Sequence, residues 1–143
     1  MAMADRTANT VWEGDLAHGN GTLSLKSGAT PELPVTWASR TERSDGKTSP
    51  EELIAAAHSA CFSMALAHAL AGAGTPADQL DTSATVTFVP GEGITKIALT
   101  VRGSVPGVDE ETFVAAAEGA KVGCPVSKAL ASVPEITLDA ALA

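Results

Sequence analysis

The chain has 143 residues, 45% of them hydrophobic and 18% charged, which is long enough for one domain with a substantial core and too apolar for disorder. Its formal charge is −8, with nine lysines and arginines scattered among 17 acidic residues; this excludes the concentrated positive patch that a nucleic-acid backbone or an anionic membrane surface requires. The opening residues MAMADRTANT hold neither a basic start nor an apolar segment, so no secretory signal is expected. The chain reads as cytoplasmic, with its two cysteines reduced.

Thr10 to Leu16 and Gly21 to Ser27 are predicted strands around AHGNG, a Gly/Asn turn signal. A third strand is expected over Val35 to Ser39, after Pro31 and Pro34. The polar stretch RTERSDGKT then leads to a long helix, where Ser49 reads as N-cap, Pro50 as first residue and Glu52 as the reciprocal member of a capping box. Leu53 to Gly74 is long enough to raise the question of a membrane span. It is mostly alanine, with two histidines and two serines, and reads instead as the buried helix of a soluble protein. Ala73-Gly74-Thr75-Pro76 ends it.

Two strands with period-two alternation follow; in the second, Ile97, Leu99 and Val101 share one face and Lys96, Thr100 and Arg102 the other. Pro106-Gly107 turns the chain into another helix, with Asp109 as N-cap, Val108 and Phe113 as a hydrophobic staple, and Gly123 as its terminal glycine. Pro125 starts a short third helix through about Ala131, and EITLDAALA alternates as a last strand. The order predicts an α+β fold in a single domain over residues 1–143, with a largely antiparallel sheet folded about the long central helix.

Cys61 lies in the middle of that helix and Cys124 at the start of a later one. The mid-helix thiol could be a small hydrophobe, half of a disulfide, a metal ligand or a nucleophile. His58, Cys61 and His68 fall near one stripe and would make three zinc ligands, but no Cys-x-x-Cys or His-x-x-x-His pair accompanies them. His58 has the spacing of a base for Cys61, while His58 and His68 also suit the plainer role of hydrogen-bonded helix residues. Free N–H groups at a helix start favour a thiolate at Cys124, and a disulfide between reduced cytoplasmic thiols would be transient and part of the chemistry. A reactive thiol at mid-helix needs a fixed cation, because burial raises its pKa and the helix dipole acts only near the ends. Arginine suits that task, and it would need a carboxylate partner of its own.

TSPEELIAAAHSACFSMALA, together with KVGCPVSKAL, ITKIALTV and VPGVDEETF, resembles the osmotically inducible protein C and organic hydroperoxide resistance (OsmC/Ohr) family over most of the chain. The resemblance implies an intertwined homodimer and a thiol peroxidase acting on organic hydroperoxides, with Cys61 as the peroxidatic and Cys124 as the resolving thiol. Arg40 in SRTE matches the arginine of the OsmC branch, and Glu51 the family glutamate after the proline. No Gly-Arg-Asp-Gly arginine of the Ohr branch stands near the N-terminus. Thr41 follows Arg40 where an aromatic residue is common, Ser49 replaces the usual asparagine, and Arg43 is a nearby rival for Arg40.

On this reading Arg40 holds Cys61 as thiolate and Glu51 holds Arg40. The resulting sulfenic acid condenses with Cys124, and a dithiol, by resemblance that of a lipoyl protein, reduces the disulfide. No metal, flavin or haem is required. The rival readings are a non-enzymatic small-molecule or lipid binder and a thiol-based peroxide sensor. Leucine, phenylalanine and methionine near Cys61 predict a preference for organic tails over hydrogen peroxide. Glu51 and Cys61 stand ten residues apart on one helix, about 15 Å along its axis, which predicts that two chains build each site.

Overall fold

In the computed structural model, which describes residues 3–143, the chain divides into two units, one ending at Pro50 and the other spanning Glu51–Ala143. The first is built on a meander. Strands β1 (Ala8–Glu13) and β2 (Asn20–Leu25) pair antiparallel, and β2 pairs antiparallel with β3 (Leu33–Val35). The Asp15 carboxylate accepts from the backbone N–H of His18 at 2.7 Å and holds the β1–β2 turn.

The strand expected over Val35 to Ser39 is shorter. It ends at Val35, and Trp37–Thr41 forms a small helix, α1. Thr36 explains the difference. Its hydroxyl accepts from Ser39 N–H at 3.0 Å, and the Ser39 hydroxyl accepts from Thr36 N–H at 2.9 Å. That reciprocal cap satisfies two donors and turns the chain into a helix despite the alternating pattern. The buried Ser39 hydroxyl also reaches the Thr48 carbonyl at 2.9 Å, and Thr48 N–H donates to the Pro34 carbonyl at 2.9 Å. Both ends of the polar loop after α1 are thereby pinned to this unit.

The second unit packs α2 (Pro50–Gly72), α3 (Glu110–Gly123) and α4 (Pro125–Ala129) with a sheet of β4 (Gln79–Val89), β5 (Gly93–Ser104) and β6 (Glu135–Leu142). β4 and β5 form an antiparallel hairpin with an irregularity between Thr87 and Phe88, whereas β6 returns parallel to β5. The expected antiparallel sheet is therefore two three-stranded sheets with one parallel pairing. Ile97, Leu99 and Val101 of the central strand β5 face the core, joined by Phe62, Leu66 and Leu70 from α2 and Phe113, Ala117 and Ala120 from α3. On the other face of β5, Lys96 lies 3.8 Å from Glu135 and Arg102 3.2 Å from Asp139, which fixes the register of β6.

α2 is less enclosed than a fully buried helix. Glu51, His58, Phe62, Leu66 and Leu70 make its buried stripe, at the spacing of one helical face. Only 22% of its apolar window is buried, and Met64 is 72% exposed. The helix is long and apolar enough to cross a bilayer, yet the large side chains of the buried stripe join the core with Ala65, while most of its alanines remain outside.

α3 opens as expected, with the Asp109 carboxylate accepting from Thr112 N–H at 2.8 Å. Its end differs. Gly123 is still helical, and Cys124, at φ −59 and ψ 130, is the residue that leaves the helix. Pro125 is the cause, since it disfavours helical geometry in the residue before it and then starts α4. α4 stops at Ala129, two residues short of the expected end.

Candidate active site

Cys124 is the shared cap of two helices. Its N–H donates to the Ala120 carbonyl at 2.9 Å to close α3, and its carbonyl accepts from Lys128 N–H at 3.1 Å to open α4. The side chain is fully buried. There the backbone N–H groups of Val126 and Ser127, the Ser127 hydroxyl and the Cys61 thiol act to stabilise its thiolate. Cys61, half-buried one turn after His58 on α2, is thus brought against Cys124, and both are free thiols.

The pair is electrostatically asymmetric. Burial raises Cys61, the contact with Cys124 raises it further, and a hydrogen bond from Val126 N–H offsets only part of this. For Cys124, burial also raises the pKa, but the hydrogen bonds from Cys61, Ser127 and Val126 outweigh it and leave the thiol below its ordinary value. The contact therefore favours a proton on Cys61 over one on Cys124. No cation among the described residues contributes to lowering Cys61.

His58 does not approach Cys61 as a base. Its Nε2 lies 2.7 Å from the Ser127 hydroxyl, its ring is fully buried, and burial lowers its pKa, so it is neutral at physiological pH. His68 is exposed, so the two histidines do not converge. Among the described residues no group of three or more His, Cys, Asp or Glu could hold a metal ion.

Glu51 is buried in the first turn of α2, away from Cys61 along the same helix. Arg40 belongs to the first unit, on the last turn of α1, with its guanidinium 5.8 Å from the centroid of the Trp37 ring, a cation–π distance. Arg43 is a solvated loop residue, 85% exposed and 3.5 Å from Asp45. The structure thus joins Cys61 to Cys124 and adds Ser127, with His58 behind it. Ser127 was absent from the sequence reading, although its place three residues after Cys124 in CPVSK is that of a side chain able to turn back to a helix cap.

The family model described as OsmC-like protein matches residues 43–139. Peroxiredoxin OsmC of Escherichia coli (strain K12) is 48% identical over 131 residues, which cover 90% of each chain. Among solved structures, an organic hydroperoxide resistance protein OsmC from Legionella pneumophila superposes with a TM-score of 0.75 at 22% identity, covering 99% of both chains. An organic hydroperoxide resistance protein from Elizabethkingia anophelis gives 0.73 at 25% identity over 100% of both. With the family match spanning both cysteines and a relative near half identity over nine-tenths of its length, the chain belongs to the OsmC-like protein family.

Proposed function

We propose that this chain is a cysteine-based peroxidase that reduces organic hydroperoxides to alcohols, with Cys61 as the peroxidatic and Cys124 as the resolving thiol. The observation that carries this reading is the pair itself: two free thiols, distant in sequence, that the fold brings close enough to perturb each other's ionisation. The likeness to a curated peroxiredoxin supports it.

Cys61, as thiolate, attacks the distal oxygen of the hydroperoxide; the O–O bond breaks, sulfenic acid forms, and the alkoxide takes the proton held by Cys124 to leave as alcohol. The Cys124 thiolate then attacks the Cys61 sulfur, an S–S bond forms, and hydroxide leaves to be protonated by solvent. A dithiol, that of a lipoyl-bearing protein in the family pattern, restores both thiols by exchange. Because the protomer's own electrostatics favour a protonated Cys61, the cycle needs a cation at that thiol. Arg40 takes this role, with Glu51 holding the guanidinium.

The molecule acts as a homodimer of single-domain chains in the cytoplasm, Arg40 and Glu51 of one chain serving Cys61 of the other. Exposed Met64 on α2 and exposed Val11 and Trp12 on β1 provide apolar surface for assembly. Organic tails are favoured over hydrogen peroxide, since each buried methylene contributes about 0.8 kcal/mol. The test is to mix reduced protein with excess cumene hydroperoxide and a dithiol. Many turnovers per chain are expected; none would mean a binding protein, and one oxidation without turnover a sensor.

A further inference from the structure

His58 and Ser127 stand outside the cycle just described, yet they are built into its core. Ser127 Oγ is buried 2.7 Å from His58 Nε2, three residues after Cys124 on the turn that opens α4, and it acts to lower the Cys124 pKa. His58 Nδ1 is buried without a hydrogen-bond partner. A proton on Nδ1 would be a buried donor left unmade, the costlier of the two orphans, so the neutral ring carries its proton on Nε2. Nε2–H then donates to Ser127 Oγ, which leaves the hydroxyl hydrogen free to point at the Cys124 sulfur. The hydrogen bonds run in one direction, from His58 through Ser127 to Cys124, and α2 supplies both ends: His58 at the start and the Cys61 thiol on the far side of Cys124.

We propose that Ser127 and His58 are positioning residues that keep Cys124 poised as the attacking group of the resolving step, by fixing a hydroxyl donor on its sulfur. Ser127 acts on Cys124 directly and His58 acts through Ser127. The ionisable groups facing Cys124 are Cys61, in contact, and His58, through Ser127. The donor stabilises negative charge on Cys124 and so biases the shared proton toward Cys61. It favours the second chemical step at the expense of the first. The chain rests on the buried His58–Ser127 bond, the unpartnered Nδ1 and the place of Ser127 three residues after Cys124, whereas its effect on turnover rests on the peroxidase reading.

Two measurements separate these. In a Cys61→Ser background, where Cys124 is the remaining thiol, thiolate absorbance is followed against pH. Ser127→Ala is expected to raise the midpoint by about one pH unit, the effect of losing one charge-assisted hydrogen bond. Ser127→Thr, which keeps the hydroxyl, restores it; His58→Leu reproduces part of the rise and His58→Gln, whose amide N–H replaces Nε2–H, reverses it. Ser127→Ala removes one oxygen and decides the matter even if the His58 variants fail to fold. A midpoint it leaves unmoved overturns the proposal.

With both cysteines present, a single turnover with cumene hydroperoxide reads the steps separately. Without the Ser127 hydroxyl the shared proton moves toward Cys124, so sulfenate formation speeds up. At a pH below the wild-type midpoint just measured, resolution slows about threefold, because there the thiolate is about tenfold scarcer but about threefold more nucleophilic. A merely structural defect slows both steps together, and that result overturns the proposal too. If the midpoint moves as stated while the wild-type protein consumes no hydroperoxide, the peroxidase reading fails and the hydrogen-bond chain stands.

Discussion

The pairing raises the pKa of Cys61 and lowers that of Cys124, so the sulfur drawn toward thiolate is the one with no solvent exposure. Their substitutions should fail differently. Cys61→Ser is expected to abolish hydroperoxide consumption, whereas Cys124→Ser should react once and leave a sulfenic acid that dimedone traps, detectable by mass spectrometry. Equal loss of the first step in both variants would refute the division of labour. His58 predicts a pH effect on stability. Burial lowers its folded-state pKa below the reference 6.5, so the unfolded chain binds the proton first as pH falls. Stability is complete above about 6.5 and declines as pH drops from there toward the folded value. Urea unfolding from pH 8 to 5 should show this slope, flattened in His58→Gln; parallel curves would acquit the histidine. The cysteines stood out in the sequence because there are two and both lie in structured settings. The Ser127 contact did not, because its partner is 69 positions away and only the fold joins them.

At the scale of elements, the strands and helices with a strong hydrophobic period were legible before any coordinates. The alternation in β5 matches its buried residues Ile97, Leu99 and Val101. Errors fell where a local side-chain bond overrode the pattern: Thr36 with Ser39 made a helix from an alternating segment, and Pro125 bent Cys124 out of α3 without help from Gly123. A glycine whose role is packing was equally hidden. A Cβ at Gly103 on β5 would come within 2.6 Å of the Phe113 ring from α3, which is fully buried. Gly103→Ala should cost about 1–3 kcal/mol and lower Tm by roughly 4–12 °C. Gly119 on α3 meets nothing within 4 Å, so Gly119→Ala should raise Tm by roughly 2–4 °C. Calorimetry checks both, and shifts of the same sign would contradict the packing account.

For the whole molecule, the partly bare α2 and the placement of Glu51 and Cys61 along one uninterrupted helix argue for a site completed by a second chain. Cys61→Ser and Arg40→Met chains are each expected to be inactive. Refolded together, they should form heterodimers with one intact site, joining Cys61 and Cys124 of one chain to Arg40 and Glu51 of the other. Recovery should reach about a quarter of wild-type activity for random pairing, half the dimers carrying one of two sites. Heterodimers that form and stay silent would place each site within one chain. The two-chain site was expected from the sequence, but the exposure of α2 was not, since its alanines read there as ordinary core.

The contact between the two sulfurs has a consequence for what can regenerate the enzyme. Once the disulfide forms, any thiol that opens it leaves a mixed disulfide beside a tethered cysteine. That neighbour, held in place by the fold, acts at an effective concentration far above millimolar free thiol and expels the newcomer before a second molecule arrives. A monothiol is therefore returned to solution again and again. A dithiol carries its own second sulfur and can close on itself faster than it is expelled. Turnover at equal total thiol should be much faster with dihydrolipoamide than with glutathione, and equal rates would mean that the folded pair does not recapture its attacker. The proximity that makes oxidation efficient also selects the reductant.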